Sequence, residues 1–158
     1  MKILIAVEDE IYGMAAIDFV HRCGWTKNFD FKLFHAIEPL LVDNYMSFVP
    51  SPVLSDIVEE HTKWAKALLD TLETKLKAGL DGGTIEKLVL QDFSKSAILE
   101  ESKKWNADLI VLGSHGRRGM NKFLLGSVSQ TVAEHSDVPV LIVRIPQKPQ
   151  TKENTDKS

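Results

Sequence analysis

Cysteine is nearly missing from this chain: Cys23 is the only one among 158 residues. A lone thiol closes no intramolecular disulfide, and without a CxxC pair there is no basis for zinc or dithiol redox chemistry. That usage fits a reducing compartment. Cys23, inside a helical pattern, reads as a small buried or half-buried side chain. Long apolar runs are missing too. The opening Ile3-Leu4-Ile5-Ala6-Val7 is too short for a signal-peptide core, and no later run approaches bilayer length. The expected location is therefore the cytoplasm, with no membrane partner. Positive charge is not in excess either. The formal net charge is −3, and a protein without a basic face is not expected to bind nucleic acid. No pair of histidines has metal-ligand spacing, so no metal site made by the protein alone is expected.

What is present suits one soluble domain with a real core: 44% hydrophobic and 26% charged residues. Short apolar runs at 3–7, 31–36, 84–90, 109–112 and 138–143 read as strands apolar on both faces, as a covered parallel sheet requires. Between them lie helical stripes. Gly13, Ala16, Ile17, Val20 and Gly24 form the first, with small residues suited to close packing. Ile57, His61, Trp64, Ala65, Leu68, Leu72 and Leu76 form a longer one. Ala97, Ile98, Glu101 and Trp105 mark a third, with Asp92 or Ser94 as its N-cap. Val128, Thr131, Val132 and His135 mark a fourth, stopped by Asp137-Val138-Pro139. Trp25, Trp64 and Trp105 read as packing residues at helix edges. Strict strand–helix alternation predicts an α/β fold: an open, doubly wound, five-stranded parallel sheet of order 3-2-1-4-5, with helices on both faces. Strands one and four then meet where the winding reverses. Ligands bind such sheets at that switch point, outside the carboxyl ends of the strands.

The domain is expected to span 1–145, followed by a polar, disordered tail over 146–158. A long connection from Glu38 to Ser55 contains Pro39, Pro50 and Pro52 together with Leu40, Leu41, Tyr45, Met46, Phe48 and Val49. It is too apolar for a plain solvent loop. It could cover the ligand crevice or contribute to a partner surface.

After strand four the chain reads Gly113-Ser114-His115-Gly116-Arg117-Arg118-Gly119, then reaches Gly126-Ser127-Val128-Ser129 at the start of helix four. Gly113 and Gly116 lack a Cβ, which lets backbone N–H groups approach a bulky anion and adopt unusual dihedrals. Gly126-Ser127 falls at a helix N-terminus, where free N–H groups and the helix dipole favour phosphate. Ser127 and Ser129 add hydroxyls; His115, Arg117, Arg118 and Lys122 add positive charge. A plain glycine-rich turn and serine-capped helix is the rival reading. The combination at the expected switch point favours an anion. Neither a Walker A loop nor a GxGxxG dinucleotide fingerprint is present. His35 ends a strand and reads as a packed histidine. His115 could touch phosphate or solvent.

Gly113-x-x-Gly116, nine residues, then Gly126-Ser127 resembles the G-2x-G-9x-G-[S/T] motif of the ATP-binding branch of the universal stress protein family. The opening strand, Leu33-Phe34-His35-Ala36, the approach Ala107 to Gly113 and the closing Val138 to Val143 extend the resemblance over nearly the whole chain. It implies an adenine nucleotide alpha hydrolase-like fold and a stress-response regulator that binds ATP, or ADP or AMP, with Mg²⁺ carried on the nucleotide. It implies nucleotide contacts at Ala6, Val7, Glu8 and Ala36 on the nucleoside side. Towards ribose and phosphate it implies Leu112, Gly113, His115, Gly116, Arg117, Gly126, Ser127, Val128 and Ser129. It also implies a homodimer through the last strand, 138–143, and an exposed apolar edge strand independently calls for cover. One departure stands out. Relatives read Asp-Gly-Ser after strand one, where this chain has Glu8-Asp9-Glu10. Glu8 is a methylene longer, three carboxylates repel a polyphosphate unless Mg²⁺ lies between, and Asp9 is placed to cap helix one with Glu10 in its first turn. Two rivals follow: an interaction module of the same fold that has lost nucleotide, and an enzyme. No positioned base for water is evident, so hydrolysis, if present, is slow.

Overall fold

Five strands and four helices alternate along the chain in a computed structural model that describes residues 1–39, 51–114 and 125–145. They are β1 (Lys2–Ala6), α1 (Glu10–Arg22), β2 (Asp30–Ile37), α2 (Ser51–Lys77), β3 (Ile85–Gln91), α3 (Ser94–Trp105), β4 (Leu109–Gly113), α4 (Ser127–His135) and β5 (Val140–Val143). The sheet is parallel throughout, in the order β3-β2-β1-β4-β5. Ala6 pairs with both Phe34 of β2 and Leu112 of β4, so the winding reverses at the end of β1. The expected topology and the switch point are both present.

Alternation along the strands builds two cores. Ile3, Ile5, Phe31, Leu33 and Val111 face one side, where Ile17 and Val20 of α1 and Leu69, Leu72 and Leu76 of α2 cover them. Leu4, Phe34, Ile110 and Leu112 face the other, against Ala97 and Ile98 of α3 and Val132 of α4. Helices on both faces are what a sheet apolar on both sides needs.

The elements depart from the sequence expectation where local chemistry intervenes. α2 begins at Ser51, so the connection after β2 is shorter than 38–55. Pro52 falls in its first turn, where the missing N–H would be unpaired anyway. The apolar residues expected to matter in that connection, Leu40 to Val49, lie outside the described residues, as does the tail 146–158. α1 ends at Arg22, not at Gly24: Gly24 has φ +67° and is exposed, and its N–H and that of Trp25 return to His21 and Val20. A left-handed glycine here closes the helix rather than packing it. Cys23 is thereby the C-cap and is exposed, correcting the buried reading. α3 has Phe93 as its N-cap with no side-chain bond; Asp92 accepts instead from the Phe93 N–H. His61 and Trp64 lie on the exposed side of α2, the latter 41% exposed.

Two strands are not apolar on both faces. β3 is an edge strand and exposes Glu86 and Lys87. In β2, Lys32 is buried. Its Nζ lies 2.7 Å from Glu101 Oε1 and 3.0 Å from Glu86 Oε2, and 4.9 Å from the centroid of Trp105. The Trp105 indole N–H donates to Glu86 at 3.0 Å. Burial works against the Lys32 charge. The hydrogen bonds and charges of Glu101 and Glu86 outweigh it, and its pKa ends above the ordinary lysine value.

Candidate functional site

β1 ends after Ala6: the Val7 N–H makes the last ladder bond, to the Phe34 carbonyl, and Asp9 then starts α1. Asp9 Oδ1 accepts the Tyr12 N–H at 2.9 Å, and Glu10 occupies the first turn, where a carboxylate suits the helix dipole. Of the Glu8-Asp9-Glu10 run, Asp9 is thus committed to capping. Glu8 is exposed at the end of β1. The Val7 carbonyl accepts a 2.7 Å hydrogen bond from His35 Nδ1. A carbonyl cannot donate, so Nδ1 carries the proton. His35 is buried, edge-on to Trp64 at 5.4 Å between centroids, as a packed histidine should be. It ties the ends of β1 and β2 together, with Ala36 one residue beyond.

Across the switch point, β4 delivers Leu112 and Gly113. Ser114 donates its N–H to Val143, and the Ser114 carbonyl accepts the Gly126 N–H at 2.8 Å. Ser129, 3% exposed, donates its hydroxyl to the Gly113 carbonyl at 2.7 Å. These two bonds moor the first turn of α4 on the end of β4. They also bear on two of the expected donors. The Gly126 N–H and the Ser129 hydroxyl hydrogen are already used within the protein, so neither is a spare donor. Ser129 positions the helix instead.

The open donors are the next ones. Gly126 is the N-cap of α4, with φ −61° and ψ 152° and no side-chain cap bond. Ser127 and Val128 follow as its first two residues, and among the described residues their N–H groups have no hydrogen-bond partner. Ser127 is exposed, and the first turn of α4 contains no acidic residue. A helix start of this kind concentrates positive potential.

Gly113 has a reason other than the expected one. Its φ is not positive, so no unusual dihedral requires glycine. A Cβ added there would lie 2.7 Å from Tyr12 Cδ1 and 2.9 Å from Tyr12 Cγ. The space is taken by the Tyr12 ring, not held open for an anion. The Tyr12–Gly113 contact is the feature of this region that sequence reasoning missed. The signal was available: a large ring in the first turn of α1, beside the small-residue stripe Gly13, Ala16, facing a glycine across the switch point. His115, Gly116 and Arg117 lie outside the described residues. Among the described residues no cluster of three His, Cys, Asp or Glu side chains could hold a metal ion, and no helix is long and apolar enough to cross a membrane.

The universal stress protein family model matches residues 1–144. The chain belongs to the universal stress protein family. Relatives include universal stress protein A homolog 2 of Coxiella burnetii, 34% identical over 91% of this chain and 94% of its own. Universal stress protein MJ0531 of Methanocaldococcus jannaschii is 39% identical over 93% and 84%. Solved universal stress proteins share the adenine nucleotide alpha hydrolase-like fold. UspA from Lactobacillus plantarum superposes with a TM-score of 0.74 at 19% identity, covering 91% of this chain and 97% of that one. A family member from Arabidopsis thaliana with AMP bound gives 0.66 at 19% identity, over 92% of each chain. A universal stress protein in complex with cAMP gives 0.58 at 20% identity, over 92% and 98%.

Proposed function

We propose that this universal stress protein is a cytoplasmic regulator that binds an adenine nucleotide at the switch point between β1 and β4. Its occupancy would be read out by a homodimer formed through β5. The observation that carries the reading is the pair of unpartnered N–H groups on Ser127 and Val128 at the start of α4. Main-chain donors at a helix N-terminus suit phosphate. Family members that hold AMP or cAMP on this fold supply the adenine. The nucleoside would lie toward Val7, Glu8 and Ala36, the phosphates toward Ser127 and Val128, with ATP, ADP and AMP as candidates. Mg²⁺ would arrive on the phosphate oxygens, where it would offset the carboxylates at the end of β1. The dimer rests on β5 being an edge strand whose Leu141 and Ile142 are only partly buried.

Ser127 allows an unusually clean test. It is the first residue of α4, where proline is well tolerated, and the Gly126 dihedrals are those favoured before a proline. Ser127→Pro therefore deletes one N–H without a penalty to the helix; Ser127→Ala deletes only the hydroxyl. Calorimetric titration with ATP and Mg²⁺ should show wild-type binding, weakened about tenfold or more by Ser127→Pro, because a main-chain bond to a charged acceptor is lost. Equal affinity of wild type and Ser127→Pro would sink the site. Absence of any adenine-nucleotide binding at millimolar concentration would favour an interaction module of the same fold.

A further inference from the structure

The packing of Tyr12 against Gly113 explains its ring and leaves its hydroxyl unexplained. The ring occupies the volume where a Gly113 side chain would stand, with Tyr12 Cδ1, Cγ and Cβ at 2.7, 2.9 and 3.1 Å from that Cβ position. Phenylalanine would serve such packing equally well. The phenolic hydroxyl has no hydrogen-bond partner among the described residues. No buried side-chain nitrogen or oxygen among them lacks a partner. The Tyr12 hydroxyl, on a half-buried residue, therefore reaches solvent.

Its location in the fold is defined. Asp9 holds the Tyr12 N–H and fixes the first turn of α1. Gly113, on which the ring rests, offers its carbonyl to Ser129 in the first turn of α4. Tyr12 thus rests on the end of β4 from the α1 face of the sheet, sharing Gly113 with the first turn of α4, which packs on the opposite face and carries the unpartnered N–H groups. A tyrosine has few rotors and is clamped at both backbone and ring, so its hydroxyl loses little entropy on engaging a ligand.

We infer that Tyr12 is a ligand-contacting residue, its hydroxyl donating to the phosphate chain of the bound nucleotide. The inference rests on the nucleotide reading above and assigns it a donor outside the glycine motif. It also gives the acidic start of α1 a part in recognition: Asp9 contacts no ligand but sets where Tyr12 sits.

The test compares ATP–Mg²⁺ with adenosine, which lacks the phosphates, by titration calorimetry on wild type and Tyr12→Phe. Urea unfolding of both proteins serves as the folding control. Tyr12→Phe should bind ATP about tenfold more weakly, the loss expected for a hydrogen bond to a charged acceptor. Adenosine affinity and the unfolding midpoint should stay at wild-type values. ATP affinity within twofold of wild type would overturn the role of Tyr12 while leaving the nucleotide site standing. Equal losses for ATP and adenosine would overturn it too, by showing that the ring merely shapes the pocket. A wild type that binds neither ligand would overturn the nucleotide reading and this inference together.

Discussion

Replacing Lys32 by methionine should cost this protein a large fraction of its stability. The ammonium is shared by two carboxylates in unlike surroundings. Glu86 is 51% exposed and rehydrates when its partner leaves, whereas Glu101 is 4% exposed and has nowhere to turn. The loss is therefore governed by one stranded buried carboxylate, for which about 3–5 kcal/mol is typical, against roughly 5–15 kcal/mol for a whole domain. Sulfur over the Trp105 ring would recover only a little of it. The reverse single change, Glu101→Leu, should cost less, because Lys32 keeps Glu86. The double variant Lys32→Met/Glu101→Leu should return to within about 2 kcal/mol of wild type, since replacing a whole buried pair by apolar groups is near neutral. Urea unfolding followed by far-ultraviolet circular dichroism and tryptophan fluorescence, with coincident transitions, gives the numbers. A double variant as unstable as the sum of the two singles would refute the coupling. So would a Lys32→Met loss below about 1 kcal/mol.

Two further outcomes follow from individual contacts in the fold. Gly113→Ala should destabilise by about 1–3 kcal/mol, the usual cost of overpacking, because the new methyl meets the Tyr12 ring at 2.7 Å. In a Tyr12→Ala background the same change should cost almost nothing, and a double-mutant cycle by urea unfolding checks this. The second concerns acid. Hydrogen bonds hold four carboxylates below their ordinary pKa: Thr84 for Asp30, Lys63 for Glu59, Lys77 and then Lys87 for Glu73, and Lys32 and then Trp105 for Glu86. A lowered folded pKa gives stability that is present above the unfolded value and lost as pH falls through the folded one. Thermal midpoints should drop as pH falls below the usual carboxylate range, and Glu86→Gln should flatten that drop measurably. An unchanged profile in the variant would contradict the assignment.

The strand order, the switch point and the helix that carries the candidate site were all readable from residue order. Short runs such as Ile3 to Val7 and the stripe Leu68, Leu72, Leu76 each have one stable solution. Less readable was anything decided by a partner distant in sequence. Lys32 interrupts an apolar run, and only the juxtaposition of β2, β3 and α3 reveals Glu86 and Glu101 around it. Gly113 reads as a loop glycine until Tyr12, in another element, is found in its side-chain volume. Ser129 reads as a ligand donor until its hydroxyl is found on the Gly113 carbonyl. Asp9 was legible because a cap acts within three residues of itself. Cys23 was misread because a helical stripe does not announce where the helix stops; the left-handed Gly24 does.

The two borders of the sheet are unequal. On the β3 side Glu86 and Lys87 present charge to any approaching strand, while the β5 side offers Leu141 and Ile142. A molecule with one forbidding margin and one receptive margin has no way to propagate a ribbon: when two copies join by the receptive margins, only forbidding ones remain outside. In the dimer proposed above, growth would stop at two by the placement of a few charged side chains, with no need for a separate cap.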